Sequence, residues 1–311
     1  MADTAAIPAG RTVKRRSRGL PERRLALFMV APSMFLIAVV ALWPIIYAIW
    51  LSMHEYSLRQ AGLSRWAEPA GLGNYIDALK SSEFWTATRI TFIFSIASVF
   101  LETIIGLAMA MAMHAAFKGQ GILRTVVLVP WAVLTVVTAI MWKTIFDPNL
   151  GFVNQVLGTN TVWLGEEPQA LMVMIFADVW KTAPFMALLL LAGLQVIPGE
   201  IYESAKVDGA TAWQRFQKIT LPLLRPAILV ALVFRTLDAL RIFDLPFVLT
   251  KGAFGTNTLS LESYQTFQQN RIIGLGAAIA ILTFITVMIV SFIYIRFVGG
   301  NIRTLTDEGK A

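Results

Sequence analysis

Cysteine is missing from all 311 residues, so no disulfide, iron–sulfur cluster or cysteine-ligated zinc site can be built. Histidine is almost missing, and His54 and His114, the two present, form no cluster. Charge is scarce as well: 14% of residues are Asp, Glu, Lys or Arg against 57% apolar. With a mean hydropathy of +0.66, that balance excludes an ordinary soluble domain and marks an integral membrane protein. No Gly-x-x-x-x-Gly-Lys-Ser/Thr sequence occurs, and the one Gly-Lys pair, Gly309-Lys310, stands at the C-terminal end, where it cannot cradle nucleotide phosphates. Neither an internal repeat nor a glycine- or serine-rich linker divides the chain, so a single transmembrane domain is expected.

What is present is six apolar runs, about Leu25–Leu51, Ile90–Phe117, Thr125–Ile145, Leu171–Ile197, Pro226–Leu249 and Ile272–Ile295. Each is long enough for a bilayer core of about 30 Å, which needs roughly 20 helical residues. The first has no small-residue cleavage site after a short apolar core and is expected to remain as a span. The net charge of +7 is gathered at one end and in short loops, which is an orientation signal and not a nucleic-acid footprint. Arg11, Lys14, Arg15, Arg16, Arg18, Arg23 and Arg24 precede the first run and place the N-terminus in the cytoplasm. Lys118 and Arg124, then Lys206, Arg215, Lys218 and Arg225, repeat that sign in alternate loops. The loop from Asp147 to Gln169 carries Glu166 and Glu167 with no Lys or Arg. The first outer loop departs from the pattern with Arg59, Arg65 and Lys80, offset there by Glu55, Glu68, Asp77 and Glu83. Turn formers in Gly71-Leu-Gly-Asn-Tyr75 and Asp147-Pro-Asn-Leu-Gly151 make the outer loops ordered connectors.

One loop is polar, basic and carefully spaced. Glu203, Ser204 and Ala205 are followed by three residues, Gly209, nine residues, Ile219, one residue and Leu221-Pro222. Two short helices, Ile201–Val207 and Ala210–Ile219, are expected about an Asp208-Gly209 turn, since glycine accepts backbone angles closed to other residues. Trp213, Phe216 and Ile219 recur at helical spacing and form an apolar ridge with polar flanks. Such a ridge fits a groove on a partner or lies on lipid as an interfacial helix. The glutamate, glycine and Leu-Pro positions resemble the coupling loop of binding-protein-dependent ABC importer permeases. Ser204 is the single departure, standing where that pattern has alanine. Asp178-Val-Trp-Lys-Thr-Ala-Pro184 and Arg235-Thr-Leu-Asp-Ala-Leu-Arg-Ile-Phe-Asp244 extend the resemblance to the sugar importer permeases of the maltose and trehalose type.

That resemblance implies an all-α, polytopic type I ABC importer permease fold with six transmembrane helices. It implies a basic cytoplasmic arm at 1–24, a permease domain at 25–299 with its coupling loop at 195–225, and a cytoplasmic tail at 300–311. It also implies a second permease subunit, two nucleotide-binding ATPase subunits that use ATP and Mg, and an extracytoplasmic sugar-binding protein or lipoprotein. The chain itself would bind no cofactor, catalyse no reaction and sit in the bacterial plasma membrane. Glu203, Ser204, Ala205, Asp208, Gly209, Ala210, Trp213, Phe216, Ile219, Leu221 and Pro222 would couple it to the ATPase.

Ionisable residues inside spans are costly and usually face the bundle interior or water. Arg235, Asp238, Arg241 and Asp244 recur every third residue, an expected helical stripe in which each Arg neighbours an Asp one turn away. Together with Asp178 and Trp180 they are candidates for a sugar pathway, carboxylates accepting and guanidinium groups donating hydrogen bonds. An ion-pair ladder holding helices together explains the stripe equally, and the same alternative applies to Asp178 with Lys181. Glu102 reads as a hydrogen-bonding residue of the bundle interior. Gly274, Gly276, Ala277, Ala278 and Ala280 read as a close helix contact. The rival functions are an ion-coupled secondary transporter, which would show inverted repeats of broken helices, and a membrane-anchored scaffold.

Overall fold

The structure, a computed structural model, describes residues 22–58, 68–115 and 118–307. The arm's basic residues Arg11 to Arg18, the loop residues Arg59 and Arg65, Phe117 and the last four residues of the tail lie outside the described residues. Residues up to Tyr47 and residues from Ala48 onward form two compact units. In the first, an α-helix over Glu22–Ile37 passes through a π turn at Ala38–Leu42 and resumes at Trp43. Proline explains the widened turn: Pro44 follows it at once, and a proline ring clashes with the carbonyl four residues back in a regular α-helix. The continuous segment Ala26–Ser52 is long and apolar enough to cross a membrane. Most of its large side chains are exposed, Phe28 at 76%, with Leu51 at its end buried.

In the second unit, Ser82–His114, Glu167–Gln195, Ala212–Leu249 and Ile273–Tyr294 meet the same criteria of length and apolarity. Helices Gln120–Ala132 and Thr135–Ile145 meet them only together, and they are bent by 89°. The described residues therefore hold five segments long and apolar enough to span, or six when the bent pair is taken as one. The third run, expected as a span over Thr125–Ile145, is broken in the structure. Pro130 lies inside its first half, and Val133 and Leu134 adopt extended ψ angles of 137° and 138°. The carbonyls freed by the break are met from the fourth span, where Lys181 Nζ donates to Val133 O at 2.9 Å and Trp131 O at 3.5 Å. Such re-satisfaction is what a broken helix needs at membrane depth.

Small residues set the helix crossings, as close packing between spans demands. A side chain on Gly106 of the second span would meet Met186 Cγ of the fourth at 2.7 Å. One on Gly193 would strike Ala227 and Leu224 of the fifth. Two apolar clusters fill these crossings, one around Ile90, Phe94, Met174 and Leu245, the other around Met113, Met186, Leu190 and Leu224. The last span begins with Gly274 against His54 O and Gly276 against Phe267, with Ala277 and Ala278 buried beside them. That is the close contact expected from its small residues. Ala280 is exposed. The final helix continues past the expected end of the span to Asp307.

The connector after the third span is ordered. Asp147 Oδ1 accepts from the backbone N–H groups of Asn149 and Leu150 at 2.9 Å each, and the bonds from Leu150 and Asn149 hold its carboxyl below the usual carboxylate range. Asn154 then ties the loop, donating to Pro148 O and Thr161 O while its Oδ1 accepts from Trp163 Nε1 at 2.8 Å. Two-residue strands His54–Glu55 and Glu68–Pro69 pair antiparallel, a minor addition to an all-α fold.

Candidate functional site

Two constellations stand out in the second unit: the polar loop and a buried charge cluster. The loop folds as a helix over Gly199–Val207, a turn, and a second helix beginning at Ala212. Gly209 sits at φ 78°, the left-handed region that glycine enters freely. Its turn closes with Gly209 N–H donating to Lys206 O at 3.0 Å and Ala210 N–H to Ala205 O at 2.9 Å, a helix-ending pattern that satisfies freed carbonyls. Thr211 opens the second helix through a capping box: Gln214 N–H donates to Thr211 Oγ1, and Thr211 N–H to Gln214 Oε1 at 2.8 Å. The Thr-x-x-Gln spacing carries that signal in the sequence, though Thr211 and Gln214 are absent from the expected set. Tyr202 and Thr220 hydroxyls, 3.0 Å apart, tie the two helices together, and Arg215 Nη1 donates to Ala210 O at 2.6 Å.

Glu203, Ser204 and Asp208 are exposed, while Ala205 and Ala210 are half-buried at the turn. Trp213, 64% exposed, stacks on Phe216 with ring centroids 5.4 Å apart, and Ile219 is half-buried behind them. The ridge is present, with Trp213 as its outermost member. One expectation fails: the second helix does not end before Leu221-Pro222. A π turn at Phe216–Thr220, closed by Leu221 N–H donating to Phe216 O, leads straight into the α-helix Leu221–Ala239. Pro222 follows this π turn as Pro44 follows the first, and the widened turn admits its ring without breaking the helix. Loop and fifth span are one continuous rod.

The charge cluster lies further along that rod. Arg235, 2% exposed, donates through Nε and Nη2 to Glu102 of the second span at 2.5 and 3.0 Å. Its Nη2 also donates to Asp178 of the fourth span, and its Nη1 to Asp238 Oδ2 at 2.9 Å. Thr182 Oγ1 donates to Glu102 Oε1 at 2.6 Å. One guanidinium thus faces three carboxylates, and its donor groups are all engaged. Glu102 and Asp178 are buried, whereas the Asp238 side chain is 70% exposed.

The stripe is therefore not a stripe. The α-helix stops at Ala239, Leu240–Phe243 are unwound, and helix resumes at Asp244–Leu249. Arg235 pairs with Asp238 as the spacing suggests, but Arg241 donates through Nε to its own helix at Leu237 O, 3.1 Å away, and forms no ion pair with Asp244. Asp178 and Lys181 do not pair either: the first meets Arg235, the second caps the bend of the third span. Trp180 packs edge-on against Trp142, ring centroids 6.3 Å apart, and is 36% exposed. Glu102, singled out as an interior residue, is the pivot of the cluster; Thr182 carried no sequence signal.

The comparisons agree with this geometry. A trehalose transport system permease of Mycobacterium tuberculosis is 41% identical over 280 residues, covering 90% of each chain. A trehalose/maltose transport system permease of Thermococcus litoralis is 42% identical over 281 residues, covering 88% of this chain and 94% of that one. Among solved structures, a permease chain of a bacterial ABC transporter that imports alginate shares the fold at a TM-score of 0.77 and 24% identity, over 89% of this chain and 96% of that one. Residues 102–303, which hold the buried cluster, the polar loop with the span that continues it, and the last span, match the family described as the inner membrane component of binding-protein-dependent transport systems. The chain belongs to that family: it is an ABC importer permease.

Proposed function

We propose that this permease forms half of the pathway for a disaccharide of the trehalose or maltose kind, in a heterodimer with a second permease. Two ATPase subunits bind and hydrolyse ATP with Mg. Their closure moves the exposed helix pair Gly199–Thr220, and the rod rocks the pathway between inward- and outward-facing states. A sugar-binding protein or lipoprotein delivers substrate to the outer mouth. Both termini and the 195–225 loop face the cytoplasm of a bacterial inner membrane.

The observation that carries this reading is the uninterrupted connection from the Trp213–Phe216 ridge to the buried Arg235 cluster. A surface contact made at one end reaches three spans at the other without a flexible joint. An ion-coupled secondary transporter has no use for such a ridge. Relatives named for trehalose and maltose transport, similar over 90% and 94% of their length, support the substrate class. The test is uptake of labelled trehalose by vesicles holding the assembled complex and its binding protein. Uptake that needs ATP and persists after ion gradients are collapsed is expected. Uptake that continues without ATP on an ion gradient would contradict the proposal.

A further inference from the structure

At the end of the fifth span remote from the coupling loop, the chain unwinds at Leu240–Phe243. Irregular backbone at membrane depth persists where it is buried in protein or lines a cavity. Arg241 sits in that stretch. It lies six residues beyond the buried Arg235 and, unlike it, is exposed. Its side chain opens into a cavity of about 320 Å3 shared with Ser260, Ser263, Thr283 and Phe284. Only Arg241 Nε is engaged, by Leu237 O; the terminal guanidinium nitrogens have no partner among the described residues. Ser263 and Thr283 each donate one hydrogen bond to a carbonyl, of Gly276 and Ile279, and keep lone pairs to accept another. The Ser260 hydroxyl makes no hydrogen bond among the described residues. Phe284, 51% exposed, supplies an aromatic wall.

An uncommitted guanidinium inside a span is costly and marks a site for a ligand or pathway. Donors and acceptors converging on a pocket with an aromatic wall are the makings of a small-molecule site, and this volume is at the small end of such pockets. The geometry points to a sugar subsite apart from the Arg235 cluster. There Arg241 donates to neighbouring hydroxyls of one sugar ring, Ser260 and Thr283 bond its remaining hydroxyls, and Phe284 covers its apolar face. The inference rests on the sugar-import reading and adds a place where sugar is held near the outer mouth before it passes the buried cluster.

The test uses the assembled importer with its binding protein in proteoliposomes and labelled trehalose. Trehalose uptake by the unaltered complex comes first. If neither trehalose nor maltose is carried, the sugar reading falls and this inference with it. Where sugar is carried, Arg241→Gln raises KM roughly tenfold or more, as loss of hydrogen bonds to a charged donor implies, and Ser260→Ala raises it a few-fold. A panel of monodeoxy trehaloses adds a readout that a merely structural role would not move. One analogue is penalised by the unaltered complex and not by Arg241→Gln, because the same hydrogen bond is already gone. Unchanged KM in both variants overturns the subsite. Loss of the second permease from Arg241→Gln, with KM unchanged in Ser260→Ala, overturns it too and assigns Arg241 to the interface between permeases.

Discussion

Arg235 is the residue on which three spans converge, and its energetics are those of a buried ion pair. Removing one partner of such a pair leaves an uncompensated charge and costs about 3–5 kcal/mol. Arg235→Met therefore strands Glu102 and Asp178 in the bundle, and the thermal unfolding midpoint of the detergent-solubilised complex is expected to fall sharply. Arg235→Lys should fall too, because an ammonium cannot reproduce the two-pronged bond to Glu102. An unaltered midpoint in both variants would show that the cluster does not hold the spans together. Only part of this site is legible along the sequence. The i, i+3 spacing exposes Asp238, but that side chain is 70% exposed, and exposed pairs contribute little. The strong partners, Glu102 and Asp178, stand out as charges inside spans, but they come from other helices, so nothing local pairs them with Arg235.

At the scale of the element, the polar loop and the span that continues it depend on a turn and on a proline tolerated in a widened helix. Nothing lies within 4 Å of a side chain built on Gly209, so the penalty for substitution there comes from φ alone. A β-branched residue in the left-handed region is a genuine outlier, while Asn enters it far more readily. Gly209→Val is expected to lower sugar uptake at least tenfold while the chain still inserts and assembles, and Gly209→Asn to keep most of it. Equal uptake by both, measured in the vesicle assay, would remove the turn from the transmission path. Asp208-Gly209 was readable because the constraint is local. The bend after Ala132 was half readable: Pro130 weakens the third span, but Lys181, which makes the break tolerable, arrives from the fourth span. The unwound Leu240–Phe243 stretch has its breaker just downstream: Pro246 cannot donate to the carbonyl four residues back, Ile242, and its ring would crowd that carbonyl in a continuous helix.

At the scale of the whole molecule, composition marked a membrane protein and six apolar runs marked its spans, while the all-α permease fold came from the resemblance. The apolar residues that remain uncovered on the bent third span, among them Ile122, Val126, Val129, Val137 and Ile140, await lipid or a second permease. The absence of cysteine makes one measurement unusually direct. A single thiol introduced as Trp213→Cys and armed with a photoactivated cross-linker reports what the ridge touches in the assembled importer. Capture of the ATPase subunit from this position, and none from Phe152→Cys in the connector after the third span, is the expected result. Capture of the ATPase from Phe152→Cys and never from Trp213→Cys would contradict the central claim that the Gly199–Thr220 helix pair is the coupling element.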